Sequence, residues 1–128
     1  MLGELEASGR EVVFDMEAGA GTLLRMAEGA ADVVLVVAEP TAKSIEAARR
    51  HAEVAAEKAR VVVVANKLAE AGVAARIGEA LAGYELVEVP EDPAIAHAER
   101  EGRAPIDVAP DAAAVRALAE LAGRLVGR

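Results

Sequence analysis

Four short apolar runs punctuate the chain: residues 11–14 (EVVF), 32–38 (DVVLVVA), 60–65 (RVVVVA) and 84–90 (YELVEVP). The second and third are uninterrupted and rich in valine. Continuous β-branched runs belong to strands covered on both faces, as in a parallel sheet enclosed by helices. The fourth run alternates, with Glu85 and Glu88 set between apolar positions, which predicts a strand nearer the sheet edge.

Alanine-rich helical stretches lie between these runs. In residues 41–59, Ile45, Ala48, Ala52, Ala55 and Ala59 recur at three- and four-residue spacing and form one apolar stripe. Thr41, after Pro40, is placed to cap that helix. Glu46 with Arg50, and Arg49 with Glu53, form i,i+4 pairs on its outer face. A second helix is predicted over 74–81, ended by Gly83. A third covers 93–100 and stops at Gly102, and the last covers 111–125. Residues 105–110 read as a short extended connection, and residues 2–9 as the tail of a helix ending at Gly9. The alternation of strand and helix predicts an α/β fold: a parallel sheet of about four strands, with right-handed crossovers and helices on both faces. A single domain spans 1–128.

Composition narrows this picture. Aromatic residues are 2% of the chain, Phe14 and Tyr84 alone, so the core must be built from Ala, Val, Leu and Ile. The net charge is −8, from 22 acidic and 14 basic residues. An acidic surface repels phosphate backbones and anionic lipid, which argues against nucleic-acid or membrane partners. With no cysteine, disulfides and thiolate metal sites are excluded within these 128 residues. No basic-then-apolar signal segment opens the sequence and no apolar run matches a bilayer, so a cytoplasmic location is expected. His51 and His97 have no partner at metal-ligand spacing and read as surface or boundary residues.

Three segments carry candidate chemistry. Asp15 follows an apolar run and precedes a glycine-rich turn through Gly19. An acid at a strand's carboxyl end can reach the water shell of Mg²⁺, and a glycine amide can approach a terminal phosphate closely. The same residues are also compatible with Asp15 capping a turn that the glycines merely permit. Asn66 and Lys67 end the third run. A carboxamide there can both donate to and accept from a purine edge, and a lysine stem can lie along the base; an ordinary turn with a solvated lysine fits as well. Pro90, Glu91 and Asp92 end the fourth run, where their backbone can line a base pocket or simply turn into a helix begun by Pro93. All three segments fall on one sheet edge, the carboxyl ends of the strands, where open α/β folds bind ligands.

The order of these motifs resembles the MinD/ParA-like, SIMIBI-class P-loop ATPases. It runs from Asp15-Met16-Glu17-Ala18-Gly19, through 32–41 (DVVLVVAEPT) with Ser44, to Asn66-Lys67 and Val89-Pro90-Glu91-Asp92. It is most similar to the CooC branch, which matures nickel carbon-monoxide dehydrogenase. The resemblance implies roles. Asp15 takes the place of the switch-II acid associated with Mg²⁺ through water, and Gly19 that of the glycine sensing the γ-phosphate. Asn66 resembles the adenine reader, with Lys67 beside it. Pro90, Glu91 and Asp92 resemble the segment lining the base, and residues 30–40 the strand and loop that carry switching to a dimer partner. ATP and Mg²⁺ are the implied cofactors. The implied partners are a second copy or a complementary phosphate-loop-bearing chain, with a metalloenzyme as client.

The departures from the family pattern matter as much. No glycine-rich loop with lysines precedes a helix anywhere in the 128 residues, so the amide cradle and the phosphate-binding lysine are lacking. The Cys pair of metal-binding members is also lacking. Gly21 and Thr22 stand where the nickel-maturation type tends to show an acid and a histidine. The expectation is therefore the C-terminal portion of a nucleotide-binding domain, a truncated P-loop fold that does not hydrolyse ATP alone. The alternative expectation is a stand-alone, non-catalytic interaction module. The family's phosphate-loop strand would lie between the strand of 11–14 and that of 32–38, which leaves a slot for those two strands or another chain to close.

Overall fold

A computed structural model of the chain describes residues 9–16 and 20–126. Its elements run α1 (Ala20–Arg25), β1 (Val33–Ala38), α2 (Ala42–Ala56), β2 (Arg60–Leu68), α3 (Val73–Ala80), β3 (Glu85–Pro90), α4 (Pro93–Arg100), α5 (Pro105–Val108) and α6 (Ala113–Val126). The strands form one sheet in the order β1-β2-β3, and both pairings are parallel. Val34 lies opposite Val61 and Val36 opposite Val63, while Val64 lies opposite Val87. The fold is α/β with helices on both faces of the sheet, as the βαβ rhythm predicts.

Strand alternation divides the core in two. Val34, Val36, Ala38, Val61, Val63 and Ala65 face one way, onto Ala48, Ala52 and Ala55 of α2 and onto Ile77 and Leu81. Val62, Val64, Val87 and Val89 face the other way, onto Ala114 and Leu121 of α6. β2 is buried from Val61 to Ala65 because it is the central strand. The alanines of α2 let its axis approach the sheet closely, which offsets in packing what small side chains lack in buried area.

Local signals set the helix ends. Thr41 Oγ1 accepts from the Ser44 amide at 3.2 Å and caps α2. Lys58 Nζ donates to the carbonyls of Leu23 and Leu24, at 2.6 and 2.7 Å, and so satisfies the last turn of α1. After α4, Gly102 adopts φ +64°. Its amide reaches Glu99 O and the next amide, Arg103, reaches Ala98 O, each at 3.0 Å. That pair of bonds is the Schellman stop that the glycine predicts.

Three expectations are corrected. Residues 11–14 form no strand, so the sheet has three strands among the described residues rather than about four; Val13 is 95% and Phe14 64% exposed. An apolar run becomes a strand only when a neighbour takes up its backbone groups. Next, β1 is not covered on both faces, since Leu35 and Val37 are 41% and 55% exposed. α6 packs against β3, and its apolar contacts on that face centre on β2 and β3. Finally, residues 105–108 form a single helical turn instead of an extended link, started by Pro105, whose fixed φ suits a first helical position. The helix tail read in residues 2–8 lies outside the described residues.

Candidate functional site

The carboxyl ends of β2 and β3 build the site. β2 pairs regularly with β3 up to Ala65, opposite Glu88, and resumes with Leu68 opposite Pro90. Two residues of β2, Asn66 and Lys67, therefore face one residue of β3. This bulge places Lys67 at φ +57°, the one positive φ outside glycine among the described residues. Beyond β3, the Glu91 amide donates to Leu68 O at 3.0 Å and ties the two strand ends together. Between them opens a cleft of about 330 Å³. Val89, Pro90, Ile95, Ala96, Ala114 and Leu118 form its apolar wall, while Asn66, Lys67, Glu91, Asp92 and Glu99 supply polar groups.

Asp92 is both wall and fastener. One carboxylate oxygen accepts from the Ala94 amide at 3.0 Å and caps α4; the other accepts from the Ala114 amide at 3.1 Å, at the start of α6. These amides, Ala114 first and then Ala94, hold the carboxyl below its ordinary range. Lys67 Nζ pairs with Glu39 Oε1 at 2.7 Å, across the end of β1. That contact raises the ammonium's pKa, with smaller contributions from Glu91 and Glu99. The Asn66 side chain is half-buried and makes no hydrogen bond to another described residue. Its donor and acceptor are thus both available in the cleft.

Asn66, Lys67, Pro90, Glu91 and Asp92, singled out in the sequence, all line this one cleft. Asp15 is exposed and is not part of the lining. Gly19 lies outside the described residues. Nothing in the sequence marks Glu39 as the partner of Lys67, nor Ile95, Ala114 and Leu118 as one wall. Ile95 and Leu118 carry a signal in the helical apolar pattern, but only the packing tells which apolar residue faces a cleft instead of the core.

The cleft pairs an apolar wall with polar groups on one side. A flat base matches apolar walls and one two-way carboxamide. A triphosphate does not match, because Glu91, Asp92 and Glu99 oppose the single Lys67, itself held by Glu39. Among the described residues no three His, Cys, Asp or Glu side chains gather to hold a metal ion. Asp15 alone cannot complete a Mg²⁺ shell, so the ion would need ligands from phosphates or other residues.

An open parallel α/β sheet with a cleft at the strand carboxyl ends has its opening where such folds bind ligands. The structure is similar to that of the MinD cell division protein of Aquifex aeolicus, with a TM-score of 0.63 and 25% sequence identity over 77% of this chain. The fold is MinD/ParA-like. The chain spans 45% of the length of that relative. No protein-family model matches the sequence, and no curated protein does. No helix among the described residues is long and apolar enough to cross a membrane.

Proposed function

We propose that this chain is the C-terminal, base-binding part of a MinD-like ATP-dependent switch. Its phosphate-binding part comes from elsewhere, in the same polypeptide or in another chain. One observation carries this reading: Asn66, a carboxamide without a hydrogen-bond partner among the described residues, lines a cleft with an apolar wall at the end of the central strand of a MinD-like sheet. Asn66 reads the base edge, Pro90 and the backbone of Glu91 and Asp92 line it, and the Lys67 stem lies alongside. Asp15 and Gly19 act at Mg²⁺ and the γ-phosphate only when a phosphate loop is present. ATP bound with Mg²⁺ supplies the switch its two states, and this chain's residues orient the base. On its own the chain hydrolyses no ATP, because the amide cradle and lysine that stabilise the transferring phosphate are not in its sequence. The motif order resembles the CooC branch, and the work driven by the switch is metal insertion or partner positioning.

The test is a titration of the isotope-labelled chain with adenosine, guanosine and ATP, followed by amide and side-chain NMR shifts. Adenosine is expected to move Asn66, Ile95 and Leu118, with ATP no better than adenosine. The response should vanish in Asn66→Ala. Shifts scattered away from the cleft, or none for any purine, would overturn the base-binding reading.

A second reading, an interaction module completed by another chain, is favoured by β1. Its exposed Leu35 and Val37 face solvent beside a strand edge unpaired among the described residues. Such an edge is a template for a further strand. A second copy, or a chain bearing the phosphate loop, would cover it. Sedimentation of the wild type against Val37→Lys tests the homodimer, which the lysine should disrupt.

A further inference from the structure

We propose that Glu39 is a positioning residue for the base-reading carboxamide: from the end of β1 it fixes Lys67 in its left-handed turn, and thereby sets Asn66 in the cleft. The proposal rests on the base-binding reading of that cleft and adds the residue that holds it in shape. A left-handed backbone is unfavourable for an L-residue with a β-carbon, and lysine lacks the short polar side chain that makes it tolerable for Asn or Asp. The bulge imposes φ +57° on Lys67, and a contact at the far end of its side chain adds to that hold. The Glu39 carboxylate, 2.7 Å from Nζ, makes that contact.

Glu39 is itself anchored. Its amide donates to Ser44 Oγ at 2.8 Å, and its carbonyl accepts from the Thr41 amide at 2.8 Å. Thr41 caps α2, so the carboxylate stands on a turn fixed to the sheet. Asn66 is next to Lys67 in the bulge, so the peptide that Lys67 rotates also carries the carboxamide. The competing arrangement is visible on the other side. Glu91 and Glu99 line the cleft and also attract the ammonium. Without Glu39, Lys67 is free to relax its backbone and swing its ammonium over those two acids, across the mouth of the cleft. An exposed ion pair contributes less than a left-handed lysine costs, so the bulge supplies most of the hold and the pair biases the choice between the two arrangements.

Glu39→Gln is the test, with Lys67→Gly added to it as the rescue, because glycine adopts positive φ freely and has no ammonium to misplace. In the ligand-free chain, the wild type shows the strong intraresidue amide-to-Hα NOE of a left-handed Lys67. Glu39→Gln weakens it and shifts the Asn66 side-chain amide resonances. Adenosine affinity falls by up to about fivefold, the scale of an exposed pair. The double variant restores the Asn66 resonances in the ligand-free chain, which it would not do if Glu39→Gln acted only by loosening the fold; its affinity stays below the wild type's, because the Lys67 stem along the base is gone. Unchanged Lys67 NOE and Asn66 resonances in Glu39→Gln, or no rescue by glycine, would overturn the proposal. If the wild type ignores adenosine, the base-binding reading fails and a role for Glu39 in base recognition fails with it. The ligand-free spectra then still decide whether Glu39 sets the turn.

Discussion

Asp92 and Ala114 are joined across 22 residues of chain by a hydrogen bond from the Ala114 amide to the Asp92 carboxylate, 3.1 Å long. The same carboxylate caps α4 through Ala94. One side chain therefore closes the amino-terminal turns of two helices, and both helices wall the cleft. Asp92→Ala leaves both sets of amides without this acceptor and should lower the melting temperature by roughly 5 °C. Asp92→Asn keeps one acceptor oxygen and should lose less. Thermal unfolding followed by circular dichroism ranks the three proteins, and equal melting temperatures would show that the two caps contribute nothing.

The same carboxyl group gives a pH signature. Its folded pKa lies below the ordinary value of 3.8, because the amides bond the charged form. Its contribution to stability is therefore fully present above pH 3.8 and is lost as the pH falls through the lower folded value. Glu85 is shifted in the same direction by Arg60, with Arg124 adding to it, so its contribution is fully present above pH 4.5 and is lost as the pH falls through its own lowered value. Urea midpoints of the wild type and Asp92→Asn should differ by a constant amount from pH 7 down to the ordinary carboxylate range, and converge below it. A gap that widens on acidification would contradict the assignment.

Phe14 and Ile77 reverse the ranking that size alone suggests. Phe14 is 64% exposed and outside the sheet, whereas Ile77 of α3 is fully buried between helix and strands. Phe14→Ala should change stability by no more than about 0.5 kcal/mol, as for a surface site. Ile77→Ala should cost about 2–5 kcal/mol through lost burial and the cavity left behind. Denaturant unfolding of both variants decides it. A large loss at Phe14 would mean that the aromatic ring is packed after all.

The central strand was legible because its signal is local: five apolar residues, 61–65, can be buried together only with helices on both sides. Thr41, Gly83 and Gly102 were legible for the same reason, since each acts on the turn in which it sits. The strand expected at 11–14 failed because pairing is not local. Val12, Val13 and Phe14 have strand-like character, but no neighbouring strand receives them among the described residues. In β1, Leu35 and Val37 repeat the pattern of β2 and yet stay exposed, because the position of α6 decides what covers them. At the cleft, Asn66 and Pro90 are found from strand ends alone. The Glu39 partner of Lys67 comes from the turn after a different strand, and the bulge at Lys67 leaves no mark in the sequence.

Ala52 tests how closely α2 lies on the sheet. It is fully buried, with Ala48 and Ala55 on the same stripe, against Val36, Val61 and Val63. If alanine is there because the helix axis is close, a larger side chain has nowhere to go, and leucine's better burial is outweighed by overpacking. Ala52→Leu should then cost about 1–3 kcal/mol. Ala56→Leu, at the exposed end of the same helix, should stay within about 0.5 kcal/mol. Helix propensity does not confound the comparison, since Ala and Leu are both strong helix formers and both sites change alike. Chemical denaturation of the two variants measures the difference. A stabilised Ala52→Leu would mean that the layer between α2 and the sheet holds free space, and that the alanine stripe is not what sets the helix's distance from the strands.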